Sequence, residues 1–159
     1  MKRISTVLFT LIVVSVASAA PAVSEPSIED AQIAFNISIK DVHLAAQSGD
    51  DRTIPSDLAL VVDAEIGSIT IRTDTDDRFV AEVELLGGSW SGEEEIFLYR
   101  AYALFDNTDF RDSFSRRSAT RLLPGDKILI LCRYLGIGVD YDETSPIAVL
   151  EAIGLRRLN

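Results

Sequence analysis

Cysteine and histidine are nearly missing from this chain: Cys132 and His43 stand alone among 159 residues. Structural zinc draws on several Cys or His ligands, so that class of site is excluded. A single cysteine makes no internal disulfide. Catalytic signatures are missing too. There is no Gly-x-Ser-x-Gly elbow, and "GIG" at 136–138 runs into an acidic loop instead of opening a helix, as a phosphate-binding glycine loop does. Positive charge is scarce, with 15 Lys and Arg against 25 Asp and Glu and a formal net charge of −10. Nucleic-acid binding relies on basic side chains that neutralise phosphates, so composition predicts no nucleic-acid partner. Long apolar runs are confined to the first twenty residues, and even that run falls short of the roughly 20 residues that span a bilayer.

What is present begins with "MKRISTVLFTLIVVSVASAAPAVSEP". Lys2 and Arg3 precede an apolar stretch from Val7 to Val16 and a small-x-small site at Ala17-Ser18-Ala19. That layout predicts a signal peptide over residues 1–19, a flexible lead-in over 20–31, and a single domain over 32–159. An uncleaved anchor is the alternative. With the leader removed, 140 residues remain with a charge of about −12, enough for one domain with its own core. The expected location is secreted or periplasmic, with no stable membrane insertion after cleavage.

Period-two patterning dominates the remainder. "QIAFNISIKDVHL" (32–44) places Ile33, Phe35, Ile37 and Ile39 on one parity and reads as a half-buried strand. In "LALVVDAEIGSITIRT" (58–73) the apolar positions are even up to Ile66 and odd from Ile69. A strand changes face only where a residue is inserted, so one long strand bulged at Gly67 is predicted. "DTDD" (74–77) turns the chain into a strand carrying Phe79, Ala81, Val83 and Leu85 on one side. "GGSWSGEEE" is the next turn region and 96–105 the next strand. Asn107 or Thr108 caps a short helix bearing Phe110 and Phe114. Two more strands follow, over 127–135 and from 147 onward. Cys132 shares its parity with Ile128, Ile130 and Tyr134, which makes it core filling with a poorly ionised thiol instead of a nucleophile.

Three strands, a helix and two strands, the first strand bulged, is the order of an OB fold. The predicted fold is therefore all-β with one short helix: a five-stranded Greek-key barrel with an extra N-terminal strand, a β-sandwich being the alternative. "LLPGDKILILCRYLGIGVDYDETSPIAVLEAIGL" also resembles the carboxy-terminal half of the tRNA_anti-like OB-fold domains, and "VVDAEIGSITI" resembles their first strand. The resemblance covers about residues 58–155. It implies the fold, and despite the family's name it does not imply tRNA binding.

OB ligands lie on the second and third strands between two loops. In this chain those loops hold Asp74, Asp76 and Asp77, and Asp140, Asp142 and Glu143. Carboxylates of this kind suit a hard cation, although neither loop has the EF-hand spacing and the metal stays unknown. Turn formation accounts for the same residues without any ligand. Trp90, beside Glu93–Glu95, is a further candidate contact, as a platform for a cation or as a plug. Arg111, Arg116, Arg117 and Arg121 form the one basic cluster, either paired with nearby Asp109 and Asp112 or offered to an anion. The expectation is a secreted or periplasmic non-enzymatic binding module without cofactor, whose partner is a cation or basic peptide at the acidic loops. The alternative is an interaction protein of a cell-envelope assembly that docks through an edge strand at 32–44.

Overall fold

The strand patterns assemble as their inward faces require. In the computed structural model, which describes residues 32–91 and 95–158, β1 (Ile33–Ala34) is followed by helix α1 (Ile39–Ser48), β2 (Ala59–Thr75), β3 (Arg78–Ser91) and β4 (Glu95–Phe105). A 3₁₀ turn at Thr108–Phe110 then runs straight into α2 (Arg111–Phe114), before β5 (Lys127–Val139) and β6 (Pro146–Leu158). The predicted leader and lead-in, residues 1–31, lie outside the described residues.

The sheet runs β1-β2-β3-β4-β6-β5, and β2 pairs β5 to close a five-stranded barrel. Neighbours are antiparallel except for β4 with β6 and the short β1 with β2. This is an OB fold, a closed barrel with one extra strand and two short helices. β2 carries the predicted bulge, since its register against β3 slips between Ile66 and Ile69. A Cβ at Gly67 would lie 2.8 Å from Glu84 Oε2 and 3.0 Å from Leu86 Cδ1, so a side chain there has to displace those of Glu84 and Leu86. β2 divides its length: Leu60 to Glu65 pair with β5, and Glu65 to Thr75 with β3.

Phe79, Ala81, Val83 and Leu85 of β3 face Tyr99, Ala101, Ala103 and Phe105 of β4 inside the barrel, all buried. Cys132 is buried among them; burial pushes its thiol up to about 12, and it serves as filling. At one end Phe110 and Phe114 plug the barrel against Phe105, with ring centroids 5.0 and 5.1 Å away. Helix α1 covers the other end.

That helix corrects the strand expected over 32–44. Only Ile33 and Ala34 pair as strand, and Phe35 is left exposed. Ser38 and Asp41 form a reciprocal capping box, Gly49 closes the helix in the left-handed region at φ 69°, and Ile39, Val42, Ala45 and Ala46 bury one helical face. The turn region expected over 87–95 is a second difference, since its first five residues are strand. Gly87 and Gly88 lie within β3, and a Cβ on Gly87 would stand 3.0 Å from Ile39 Cβ. The glycine is what lets α1 settle on the barrel.

Candidate binding face

Side chains of β3 and β4 that do not point inward build a polar face on the outside of the barrel. Register places Glu84 opposite Tyr102 and Leu86 opposite Arg100, while Thr70 of β2 stands opposite Glu82. The β5–β6 loop, residues 140–145, folds back over this face.

Asp140 is the one charged residue buried among the described residues. Arg100 Nη1 donates to its Oδ2 at 2.8 Å, Tyr102 Oη to its Oδ1 at 3.0 Å, and the Tyr141 amide to Oδ1 at 2.7 Å. Arg100 also donates through Nε to Glu84 Oε1 at 2.6 Å. Burial opposes charge on Arg100, but the adjacent Glu84 and Asp140 more than offset it and raise its pKa. Burial, then the Asp140 carboxylate, pushes the Tyr102 phenol up to about 12. A buried carboxylate with three donors meets the condition under which burying charge is tolerable.

Beside this knot lies a second one. Arg72 Nη2 donates to Glu82 at 3.2 Å, and the Tyr141 hydroxyl reaches both Arg72 and Glu82. The Arg72 guanidinium sits 5.3 Å from the centroid of the Tyr141 ring, and Tyr102 meets that ring edge-on at 5.6 Å. The Glu82 hydrogen bond raises the Tyr141 phenol. Between the two knots a recess of about 310 Å³ opens, lined by Arg72, Glu82, Tyr102, Tyr141, Val139 and Val149 among others. Tyr141 remains 59 % exposed, a ring available to a ligand. Two arginines meet three carboxylates here, so donors and acceptors are pre-paired and the face carries no positive excess.

The residues singled out from sequence are dispersed. Asp74 pairs with Arg111 Nε at 3.0 Å. Asp76 and Asp77 form the exposed β2–β3 turn. Asp142 accepts from the Thr144 and Ser145 amides and the Ser145 hydroxyl, and these bonds hold its pKa well below the usual carboxylate range. Glu143 takes the left-handed conformation at φ 60° in the same turn. Trp90 pairs by its backbone with Ile96 near the hairpin end, and its side chain lies outside the described residues. Among the described residues, no three His, Cys, Asp or Glu side chains group as a metal site. Arg72, Glu82, Glu84, Arg100, Tyr102 and Tyr141 were missed. For Glu82, Glu84, Arg100 and Tyr102 the signal was the outward parity of β3 and β4, which alternates with the core residues; Arg72 of β2 and Tyr141 of the β5–β6 loop join them only through the fold.

No protein-family model and no curated protein matches this sequence. Solved structures with a similar fold include a small single-stranded DNA-binding protein from Streptomyces coelicolor, 10 % identical, covering 64 % of this chain and 92 % of that one, TM-score 0.45. The Plasmodium falciparum SSB in complex with single-stranded DNA is 11 % identical, covering 64 % and 94 %, TM-score 0.46. The mitochondrial single-stranded DNA-binding protein Rim1 of S. cerevisiae is 11 % identical, covering 64 % and 93 %, TM-score 0.43. At this level of identity the likeness is one of fold alone. A secreted or periplasmic module for a cation or basic peptide, an envelope partner, and the exclusion of nucleic acid are not carried forward. The geometry agrees on the cation: Asp140 is neutralised by Arg100, Asp74 by Arg111, and Asp142 is spent on its own turn. It agrees on the docking strand as well, since most of 32–44 outside β1 is loop and helix.

Proposed function

We propose that this chain is a non-enzymatic OB-fold binding protein whose ligand is a neutral oligosaccharide lying across the β2–β4 face. The carrying observation is the recess at Tyr141: an exposed ring flanked by two arginine–carboxylate knots, on the face where OB folds hold oligonucleotides and oligosaccharides. Sugar hydroxyls both donate and accept, so they insert among paired guanidinium and carboxylate groups without leaving a charge unmatched. A phosphodiester has to compete with Glu82, Glu84 and Asp140 for the same guanidiniums. A tyrosine ring gives a sugar ring an apolar platform.

The non-enzymatic reading draws on the two residues best suited to chemistry. His43 Nδ1 lies 3.1 Å from the Arg100 carbonyl oxygen, where it docks α1, and Cys132 is sealed in the core. Membership of the tRNA_anti-like OB domains, over about residues 58–155, belongs to the same proposal.

Isothermal titration of the full chain with cellohexaose, laminarihexaose and chitohexaose, and with a twenty-nucleotide oligo-dT, tests it. Saturable binding of at least one hexasaccharide is expected, weakened about tenfold or more by Tyr141→Ala, equivalent to about 1.4 kcal/mol. Binding of oligo-dT in place of the sugars overturns the reading in favour of nucleic acid. Binding of none of the four removes it.

A further inference from the structure

We propose a second site, independent of the first: a recess beside β2 that takes an amphipathic organic anion, a medium-chain carboxylate by class. It arises from the way the barrel closes. β5 accompanies β2 only as far as Glu65, so from Gly67 onward one edge of β2 has no strand beside it. The connector from β4 to β5 crosses that gap, anchored where the Leu122 amide donates to the Ser113 carbonyl at 2.8 Å and the Gly125 amide to the Ile66 carbonyl at 2.8 Å. About 570 Å³ of space is left between connector and strand.

The recess has two characters. Its floor is apolar, made by Ile69, Ile71, Phe79, Phe114 and Leu122, with Ile71 44 % exposed. Its rim carries Arg111, Arg116 and Arg121 against Asp74 and Asp112. Asp74 is taken by Arg111, whose Nη2 is turned to the Thr75 carbonyl. Among the described residues, Arg116 and Arg121 enter no ion pair. On a chain of net charge −10, this is a local positive excess over an apolar floor of which Ile71 is the exposed part.

Each competing ligand class leaves part of that surface unused. An inorganic anion ignores the floor, a neutral hydrocarbon ignores the guanidiniums, and a cation meets the arginines. A carboxylate on an aliphatic body uses both parts, since guanidinium and carboxylate match in a two-pronged geometry. The volume lies within the range of small-ligand pockets.

Titration calorimetry of the full chain with octanoate, octan-1-ol and inorganic phosphate decides it. One-to-one binding of octanoate is expected, with octan-1-ol and phosphate at least tenfold weaker. The Arg116→Gln/Arg121→Gln double variant should weaken octanoate at least tenfold. Asp74→Asn, which releases Arg111, should tighten it. Arg116 is exposed and Arg121 half-buried, so unchanged thermal melts of the double variant are needed to confirm that folding is intact. Absence of saturable octanoate binding, equal binding of octan-1-ol or phosphate, or an unchanged affinity in the double variant each overturns the proposal.

Discussion

Asp140 is the residue on which the outer face depends, because three donors converge on a carboxylate that water hardly reaches. Asp140→Ala takes away the acceptor of the Tyr102 hydroxyl and leaves Arg100 with Glu84 as its one carboxylate, beside its 3.3 Å bond to that hydroxyl. The expected loss is about 1–3 kcal/mol in urea unfolding, the cost of leaving buried polar groups unmatched. Tyr102 also sets a pH dependence. Its phenol is neutral in the folded protein up to about 12, against about 10 in an unfolded chain. Above pH 10 the unfolded state has lost a proton that the folded state keeps, so stability falls as pH rises through that window. Cys132, also raised to about 12, acts in the same direction from pH 9 upward. Denaturation midpoints between pH 9 and 12 should fall, and fall less steeply in Tyr102→Phe. At neutral pH a thiol reagent such as DTNB should leave Cys132 unmodified until the barrel opens.

At the scale of elements, α1 rests on one cap and one glycine. Ser38→Ala removes the capping box and should cost about 1 kcal/mol. Gly87→Ala should cost about 1–3 kcal/mol by pushing a methyl group into Ile39, and Ile39→Ala should relieve part of it. A double-mutant cycle on urea midpoints reads that coupling, and strict additivity would show that helix and strand do not press on one another. The strands themselves were legible in the sequence. The parity switch at Gly67 announced the bulge, and Phe79 to Leu85 announced the inner wall. The helix was not, because Ile33 to Ile39 alternates over too few residues to separate a period of 2 from one of 3.6. The Ser38–Asp41 pair and Gly49 were the signals that mattered. Most of the candidate face was hidden for a different reason. Loop carboxylates are visible as composition, whereas the Arg100–Asp140 pair joins residues 40 apart and exists only once β4 and the β5–β6 loop are brought together.

The whole molecule carries a net charge of −10. Self-repulsion of the acidic surface should make the melting temperature rise between 20 and 200 mM NaCl, as shielding shortens the reach of like charges. The divided allegiance of β2 has a consequence in time. Its pairing with β3 is a local hairpin, whereas Leu60 meets Cys132 across 72 residues of chain. Closing so long a loop is entropically slow, so the β2–β3–β4 meander should condense first and the β2–β5 seam last. In stopped-flow refolding, Val83→Ala should then retard the rate of folding, while Ile130→Ala should chiefly hasten unfolding. Both recesses depend on the segments that flank β5, one on the connector that enters it and one on the loop that leaves it. A refolding chain should thus acquire its barrel wall before it acquires anywhere to bind.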